Sequence, residues 1–328
     1  MKRALLVAAL LIGACTNAPE GSTVADSASQ APGFEAKYHD AGRALTVLET
    51  LSSDAFQGRR TGEQGNLDAQ DWIEARLMEL GAPAFTEEGY RYAFYVERPP
   101  RNKDEPPISI AGTNLVARIA PDAAPSDTPV IAITAHYDHL GMRDGEIFNG
   151  ADDNASGVAA LFSAIEWFQA NPPENEILFI FFDAEERGLT GSHAFVEGLP
   201  DSLTDRIALN INFDMVSRAD KGELYAVGSH HFPELVPLID GVADDAPIKL
   251  LRGHDSPEWG DQDWSLQSDH AAFLRAGIPI IYLGVEDHAD YHRPSDTFDK
   301  VDPEAFARTV DTTVMVAEAA DDWVAEQP

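Results

Sequence analysis

The sequence predicts an α/β fold: a mixed, mostly parallel central sheet sandwiched by helices, in a single domain. Three observations predict it. Short apolar runs rich in branched residues recur along the chain, helical stretches alternate with them, and one of those helices is apolar nearly all round. A strand that reads as a continuous apolar run is buried on both faces, so helices must cover each side of the sheet.

The elements follow in chain order. Lys2 and Arg3 precede an apolar run from Ala4 to Ile12, too short to span a bilayer permanently, which reads as an export signal. It ends in Leu11-Ile-Gly-Ala-Cys15, which resembles a bacterial lipobox and makes residues 1–14 a lipoprotein signal peptide. Cys15 is the sole cysteine, so it is read as the lipidated residue and no disulfide forms within the chain. Thr16 to about Gly33 is Ser, Ala, Thr, Pro and Gly with few large apolar residues, too little to order itself, and residues 15–35 read as a tether.

Residues 36–328 are assigned to the folded domain, with structure beginning near Tyr38. In Asn66 to Leu80, Ala69, Trp72, Ile73, Leu77 and Leu80 recur at helical spacing, and Gly81 supplies a C-terminal stop. Strands are predicted at Asn114 to Ile119, Val130 to Ala135, Ile177 to Phe182, Ala208 to Phe213, Leu224 to Val227 and Ile278 to Leu283. Between them, Gly157 to Phe168 is the helix apolar all round, and Ala305 to Ala319 is a second helix near the end. The Pro-rich stretch Arg98 to Pro107 reads as a loop.

Composition narrows the function. With 44% hydrophobic and 24% charged residues the chain suits a globular fold. A formal net charge of −33, with no long run of Lys or Arg, excludes nucleic acid as a partner.

The chemistry sits at strand ends, where open α/β sheets collect ligands. The run 130–135 leads into His136-Tyr-Asp-His139, the run 177–182 into Asp183-Ala-Glu-Glu186, and the run 208–213 into Asp214. Two more deliveries are Gly150-Ala-Asp-Asp-Asn154, ahead of the buried helix, and Glu286-Asp-His-Ala-Asp-Tyr-His292. Imidazole and carboxylate without thiolate suit zinc, with manganese or cobalt as substitutes, whereas calcium takes oxygen alone. Several buried carboxylates without a cation would repel one another, so the set points to a metal site rather than five unrelated caps. Hydrolysis at such a site also needs a carboxylate that moves a proton without ligating, and the adjacent Glu185 and Glu186 would serve both needs if they point apart at an extended strand end.

Six strings carry a resemblance that spans most of the folded chain: Ala135-His-Tyr-Asp-His-Leu-Gly141, Asn149-Gly-Ala-Asp-Asp-Asn-Ala-Ser-Gly157, Phe182 to Ser192, Asn212-Phe-Asp214, Ser268-Asp-His270 and Tyr291-His-Arg-Pro-Ser-Asp-Thr297. They closely resemble the co-catalytic two-zinc aminopeptidases, peptidase family twenty-eight of the metallo class, as does Leu51 to Gly62. The resemblance implies a zinc-exopeptidase-like fold and an aminopeptidase acting on peptides with two Zn2+. Carried over by position, it makes Asp152 the carboxylate bridging both metals, with Glu186 and His292 completing one site and His136 and Asp214 the other. It makes Glu185 the general base and Asp138 the residue that orients the His136 ring, and it implies a cis peptide between Asp152 and Asp153.

There is one departure: some relatives carry a Tyr shortly before the Ser-Asp-His string as an oxyanion donor, where this chain has Asp263-Trp-Ser-Leu-Gln267. Trp259 and Trp264 are read as packing before pocket lining, and His139 and His288, beside predicted ligands, have no assigned role. The alternatives to an aminopeptidase are a carboxypeptidase of the same fold and a non-catalytic surface binding lipoprotein. Lipid on Cys15 would anchor the protein in the cell envelope, and Thr16 rather than Asp after it favours the outer membrane.

Overall fold

The computed structural model describes residues 33–100, 106–121 and 124–327. The expected signal peptide, Cys15 and the expected tether as far as residue 32 lie outside the described residues. Contacts group residues 32–328 into one compact unit.

The first half of the chain forms α1 (Ala41–Leu51), α2 (Gln64–Leu80), β1 (Arg91–Arg98), β2 (Ile108–Ile119), β3 (Val130–His136), a hairpin of β4 (Gly141–Arg143) and β5 (Glu146–Phe148), and α3 (Gly157–Ala170). The second half forms β6 (Glu176–Phe182), α4 (Thr190–Gly198), α5 (Asp201–Thr204), β7 (Ile207–Phe213), β8 (Glu223–Val227), α6 (Val236–Asp245), β9 (Lys249–Arg252), α7 (His270–Arg275), β10 (Ile280–Gly284) and α8 (Pro303–Ala325). Helix ends carry the expected signals. Gly81 closes α2 with a left-handed φ of 66°, and Asp302 caps α8 by accepting from the N–H groups of Glu304 and Ala305, with Pro303 as the first residue.

Eight strands make one sheet in the order β1-β2-β6-β3-β7-β10-β8-β9. Its centre, β6, β3, β7 and β10, is parallel, while β2 joins β6 and β8 joins β10 in antiparallel sense. All four parallel strands therefore end at the same edge, which is what brings distant segments together.

The side-chain period of two divides the core. Ile131, Ile133 and Ala135 of β3, with Ile177, Phe179 and Phe181 of β6, face α1, α2, α3, α6 and α8. Val130 and Ala132, with Leu178, Ile180 and Phe182, face α4 and α7 on the other side. The α3 helix lies in the larger layer, where Phe162 meets Phe181 at 4.9 Å and Trp72 edge-on at 6.0 Å. Burying a side chain of that size contributes about 1.5–3 kcal/mol, and truncating it to Ala costs ~3–5 kcal/mol because the cavity cannot close.

Two strands of the sheet are absent from the sequence reading. In β1 only Phe94 is buried, and β9 is four residues long with charged ends; both lie at sheet edges. Edge strands carry charge against edge-to-edge pairing, which removes the apolar signal that marks a central strand.

Candidate metal centre

Five segments meet at the carboxyl edge of the parallel strands. The β3 strand ends on His136, β7 delivers Asp214, and the turn after β6 carries Glu185 and Glu186. An irregular turn over residues 151–156, before α3, carries Asp153, and the loop after β10 carries His292.

Their donor atoms form two groups about one carboxylate. His136, Glu185 and Asp214 offer atoms within 4.8 Å of one another, and so do His139, Asp153 and Glu186. Asp153 lies between them: Oδ1 is 3.4 Å from His136 Nε2, while Oδ2 is 3.1 Å from His292 Nε2 and 3.6 Å from His139 Nδ1. On the first side His136 Nε2 is 3.3 Å from Asp214 Oδ1, and on the second His292 Nε2 is 3.4 Å from Glu186 Oε1.

Asp152, expected as the bridging carboxylate, is not in this cluster. Its Oδ1 accepts from Ser217 N at 2.7 Å, Ser217 Oγ at 2.8 Å and Arg218 N at 3.2 Å, and its Oδ2 lies 3.1 Å from His288 Nε2. Those partners turn it away from the cleft and leave Asp153 facing it. The cis peptide likewise falls one residue later, between Asp153 and Asn154. The turn is held from outside. Asp296 accepts from the N–H groups of Asp152 and Asp153 at 3.1 Å, and Asn154 reaches the Phe213 carbonyl at 3.0 Å.

Asp138 also works differently from the expectation. His136 Nδ1 lies 3.1 Å from the main-chain carbonyl of Asp138, whereas the Asp138 carboxylate is 3.8 Å away. In the neutral ring, donating Nδ1–H to that carbonyl leaves the Nε2 lone pair to face the cluster. The carboxylate instead accepts from Glu185 N at 2.9 Å and Thr61 Oγ at 3.0 Å, fixing the turn that presents Glu185. Glu185 and Glu186 do point to different groups, but from a turn following Ala184 at φ 60° rather than from an extended strand end.

Beneath the cluster, fully buried Arg59 donates to four carbonyls: Nε to Tyr137, Nη1 to Leu51 and Asn149, and Nη2 to Gly150. It thereby ties the His136 loop to the turn bearing Asp153. Burial pushes its pKa down to about 10, against the pull of Asp153, Asp296, Asp138 and Glu186.

The electrostatics call for a cation. Burial raises the Glu185 carboxyl well above the usual range, opposed by His136 and reinforced by Asp269, Glu186 and Asp214. Burial works against a charged His136, yet Asp214, Glu185 and Asp153 pull its pKa well up, and in the same way Asp153 and Glu186 raise His292 to about 10. Without a metal, protons thus gather on the rings. Glu186 Oε1 and both ring nitrogens of His139 are buried without a hydrogen-bond partner, an unsatisfied state that a bound cation would relieve. The donors are nitrogen and oxygen only, and they fit zinc.

The cleft above the cluster has a volume of about 320 Å³, and its walls include Leu189, Met215, Leu266 and Gln267. Tyr291 also lines it, stacked on His292 at 3.9 Å, and burial with nearby Asp153 and Asp214 raises its phenol pKa, so the hydroxyl stays a donor. Trp259 and Trp264 do not line this cleft; they flank the His254 ring, at 4.1 and 3.7 Å. Asp269 and His270 are fully buried, with His270 Nε2 2.9 Å from the Trp264 carbonyl. Sequence reasoning left out Asp153, His139 and Tyr291. Asp153 and Tyr291 each adjoin a predicted ligand in the chain, and His139 lies three residues after His136; that nearness was the signal available.

An α/β sandwich that gathers imidazole and carboxylate donors at its parallel strand ends is a scaffold suited to a metal-dependent enzyme. The profile of Peptidase family M28 matches residues 114–317, and the chain belongs to that family. Among curated relatives, it is 29% identical over 206 residues to Aminopeptidase YwaD of Bacillus subtilis, covering 58% of this chain and 41% of that one. It is 28% identical over 211 residues to the Probable lipoprotein aminopeptidase LpqL of Mycobacterium tuberculosis, covering 56% and 41%. The match thus spans about two fifths of the length of those two relatives. Among solved structures, the zinc aminopeptidase BSAP from Bacillus subtilis superposes with a TM-score of 0.70 at 17% identity, covering 88% of this chain and 96% of that one. A glutaminyl cyclase from Bacteroides thetaiotaomicron superposes with a TM-score of 0.67 at 19% identity, covering 86% and 98%. These two likenesses establish the fold, and a fold that hosts both names does not decide between them.

Proposed function

We propose that this chain is a metal-dependent aminopeptidase that removes N-terminal residues from peptides and works with two zinc ions. The observation that carries the reading is Asp153, whose two carboxylate oxygens face separate donor groups, with Glu185 beside the first. His136 and Asp214 would hold one ion, Glu186 and His292 the other, and Asp153 would bridge them. The ions would supply an activated water and polarise the scissile carbonyl.

The remaining steps belong to side chains. Glu185 takes the proton of the attacking water and passes it to the departing amine, and its raised pKa suits both halves of that task. Tyr291, protonated and lining the cleft, donates to the oxygen that becomes negative, in the place of the Tyr that the segment 263–267 lacks. Leu189, Met215 and Leu266 form an apolar wall beside the cluster, fit for an uncharged terminal side chain.

The cyclase reading is less well supported. A cyclase resembling this family would work with one zinc, whereas two groups of candidate donors lie together here. Names among the relatives support the aminopeptidase, and LpqL supports a lipid anchor in the cell envelope, through Cys15. The test is metal content by elemental analysis together with hydrolysis of aminoacyl-anilides before and after chelation. About two zinc ions per chain and chelator-sensitive release are expected, and Glu185→Gln should keep both ions while losing ~100-fold to 10,000-fold in kcat. Two ions without release from free-amine substrates would reject the aminopeptidase.

A further inference from the structure

We infer that His139 is a ligand of the second metal ion, beside Asp153, Glu186 and His292, so that this position is held by two imidazoles instead of one. The inference rests on the two-ion reading and adds a residue to it. His139 is fully buried, and neither of its ring nitrogens has a hydrogen-bond partner. Nδ1 nevertheless lies 2.9 Å from Glu186 Oε1 and 3.6 Å from Asp153 Oδ2, the same two oxygens that His292 Nε2 approaches at 3.4 and 3.1 Å.

Those separations have the size expected of atoms sharing an ion. Zinc binds nitrogen and oxygen at about 2.0–2.1 Å, so two of its donors lie about 2.9 Å apart at a right angle and about 3.4 Å apart at the tetrahedral angle. An imidazole that served only to hydrogen-bond Glu186 would aim its N–H along the line to the oxygen. At 2.9 Å the distance suits such a bond, yet Nδ1 and Oε1 both remain without one, as they would if the nitrogen lone pair points between the carboxylates.

The backbone is also shaped to admit this ring. Gly150 has a φ of 57°, and a Cβ there would lie 2.6 Å from His139 Cδ2 and 2.7 Å from its Cγ. A side chain at Gly150 would displace the ring, and Gly150 opens the turn that carries Asp153. An unsatisfied imidazole in a buried, sterically cleared place facing two carboxylates has a cation as its natural partner.

The test uses the metal-free protein titrated with Co2+, followed by calorimetry and by the visible spectrum. Wild type should bind two ions. His139→Ala and His139→Gln should both keep the first ion and weaken the second by more than about 100-fold, beyond the 10- to 100-fold typical of a group that merely supports a ligand. A second-ion spectrum and affinity unchanged in His139→Gln, whose amide still donates a hydrogen bond, would overturn the inference while leaving the two-ion reading intact. A wild type that binds a single ion would sink both. Independently of whether the variants fold, paramagnetically shifted ring N–H resonances in the dicobalt wild type should number three, from His136, His139 and His292; two would overturn the inference.

Discussion

Replacing Arg59 by Met removes a buried group that joins the His136 loop to the Asp153 turn, and the structure sets the size of the effect. The guanidinium satisfies the carbonyls of Leu51, Tyr137, Asn149 and Gly150 at 2.5–2.9 Å, in a place without solvent access. The Gly150 carbonyl keeps a second donor, Ala155 N at 3.2 Å; leaving a buried acceptor unsatisfied costs about 1–3 kcal/mol, so the other three at a middle value cost about 6 kcal/mol. Against this stands relief from burying a cation. Its pKa is depressed from 12.5 to about 10, which is worth roughly 3 kcal/mol at about 1.4 kcal/mol per pH unit. The net expectation is a loss of about 3 kcal/mol, a large fraction of the stability of a typical domain. Urea denaturation of the metal-free protein at pH 7 reads it, and elemental analysis should show reduced metal as the Asp153 turn loosens. Arg59→Lys, which keeps the charge but not the planar fork, should fall between the two. An Arg59→Met variant within about 1 kcal/mol of wild type would refute the claim that the guanidinium carries these carbonyls.

The neighbouring aspartates separate by metal binding. On the two-ion proposal, Asp153→Asn should lose both ions on dialysis, whereas Asp152→Asn should keep two and bind them about 10- to 100-fold more weakly, because its carboxylate holds Ser217, Arg218 and His288; the opposite pattern by elemental analysis would make Asp152 the bridging residue of that proposal. Asp269 controls a pH effect. Burial chiefly, with Asp214 adding and His136 opposing, raises its pKa from 3.8 to about 7, so the folded metal-free protein holds a proton there that the unfolded chain releases. Stability therefore falls as pH rises from about 4 to about 7, by about 4 kcal/mol in all, and the penalty is complete above that window. Asp269→Asn should stabilise the metal-free protein by a few kcal/mol at pH 8 and hardly at pH 4 in urea melts; equal effects at both would disprove the burial argument.

Much of the fold was legible because central strands and buried helices leave the strongest patterns. The runs predicted at 130–135, 177–182 and 208–213 match β3, β6 and β7 to within a residue or so, since a parallel strand buried on both faces is apolar throughout. The helix predicted over 305–319 extends to Pro303–Ala325, its start marked by Asp302 and Pro303. The edge strands β1 and β9 were illegible for the opposite reason, with charge in place of apolar residues.

At the site, the sequence by itself determined which kinds of donor are delivered, at which strand ends, and that two glutamates stand side by side after β6. His136, Glu185, Glu186, Asp214 and His292, chosen on sequence, do meet in one cluster. Only the tertiary structure decided which of two adjacent aspartates faces it. Asp152 and Asp153 are the same residue in the same motif, and no local pattern distinguishes them. What separates them comes from elsewhere in the chain, from Ser217, Arg218 and His288 engaging one carboxylate and Asp296 fixing both N–H groups. The same holds for His139, since sequence can place a histidine next to a ligand but only packing across Gly150 aims its ring at Glu186.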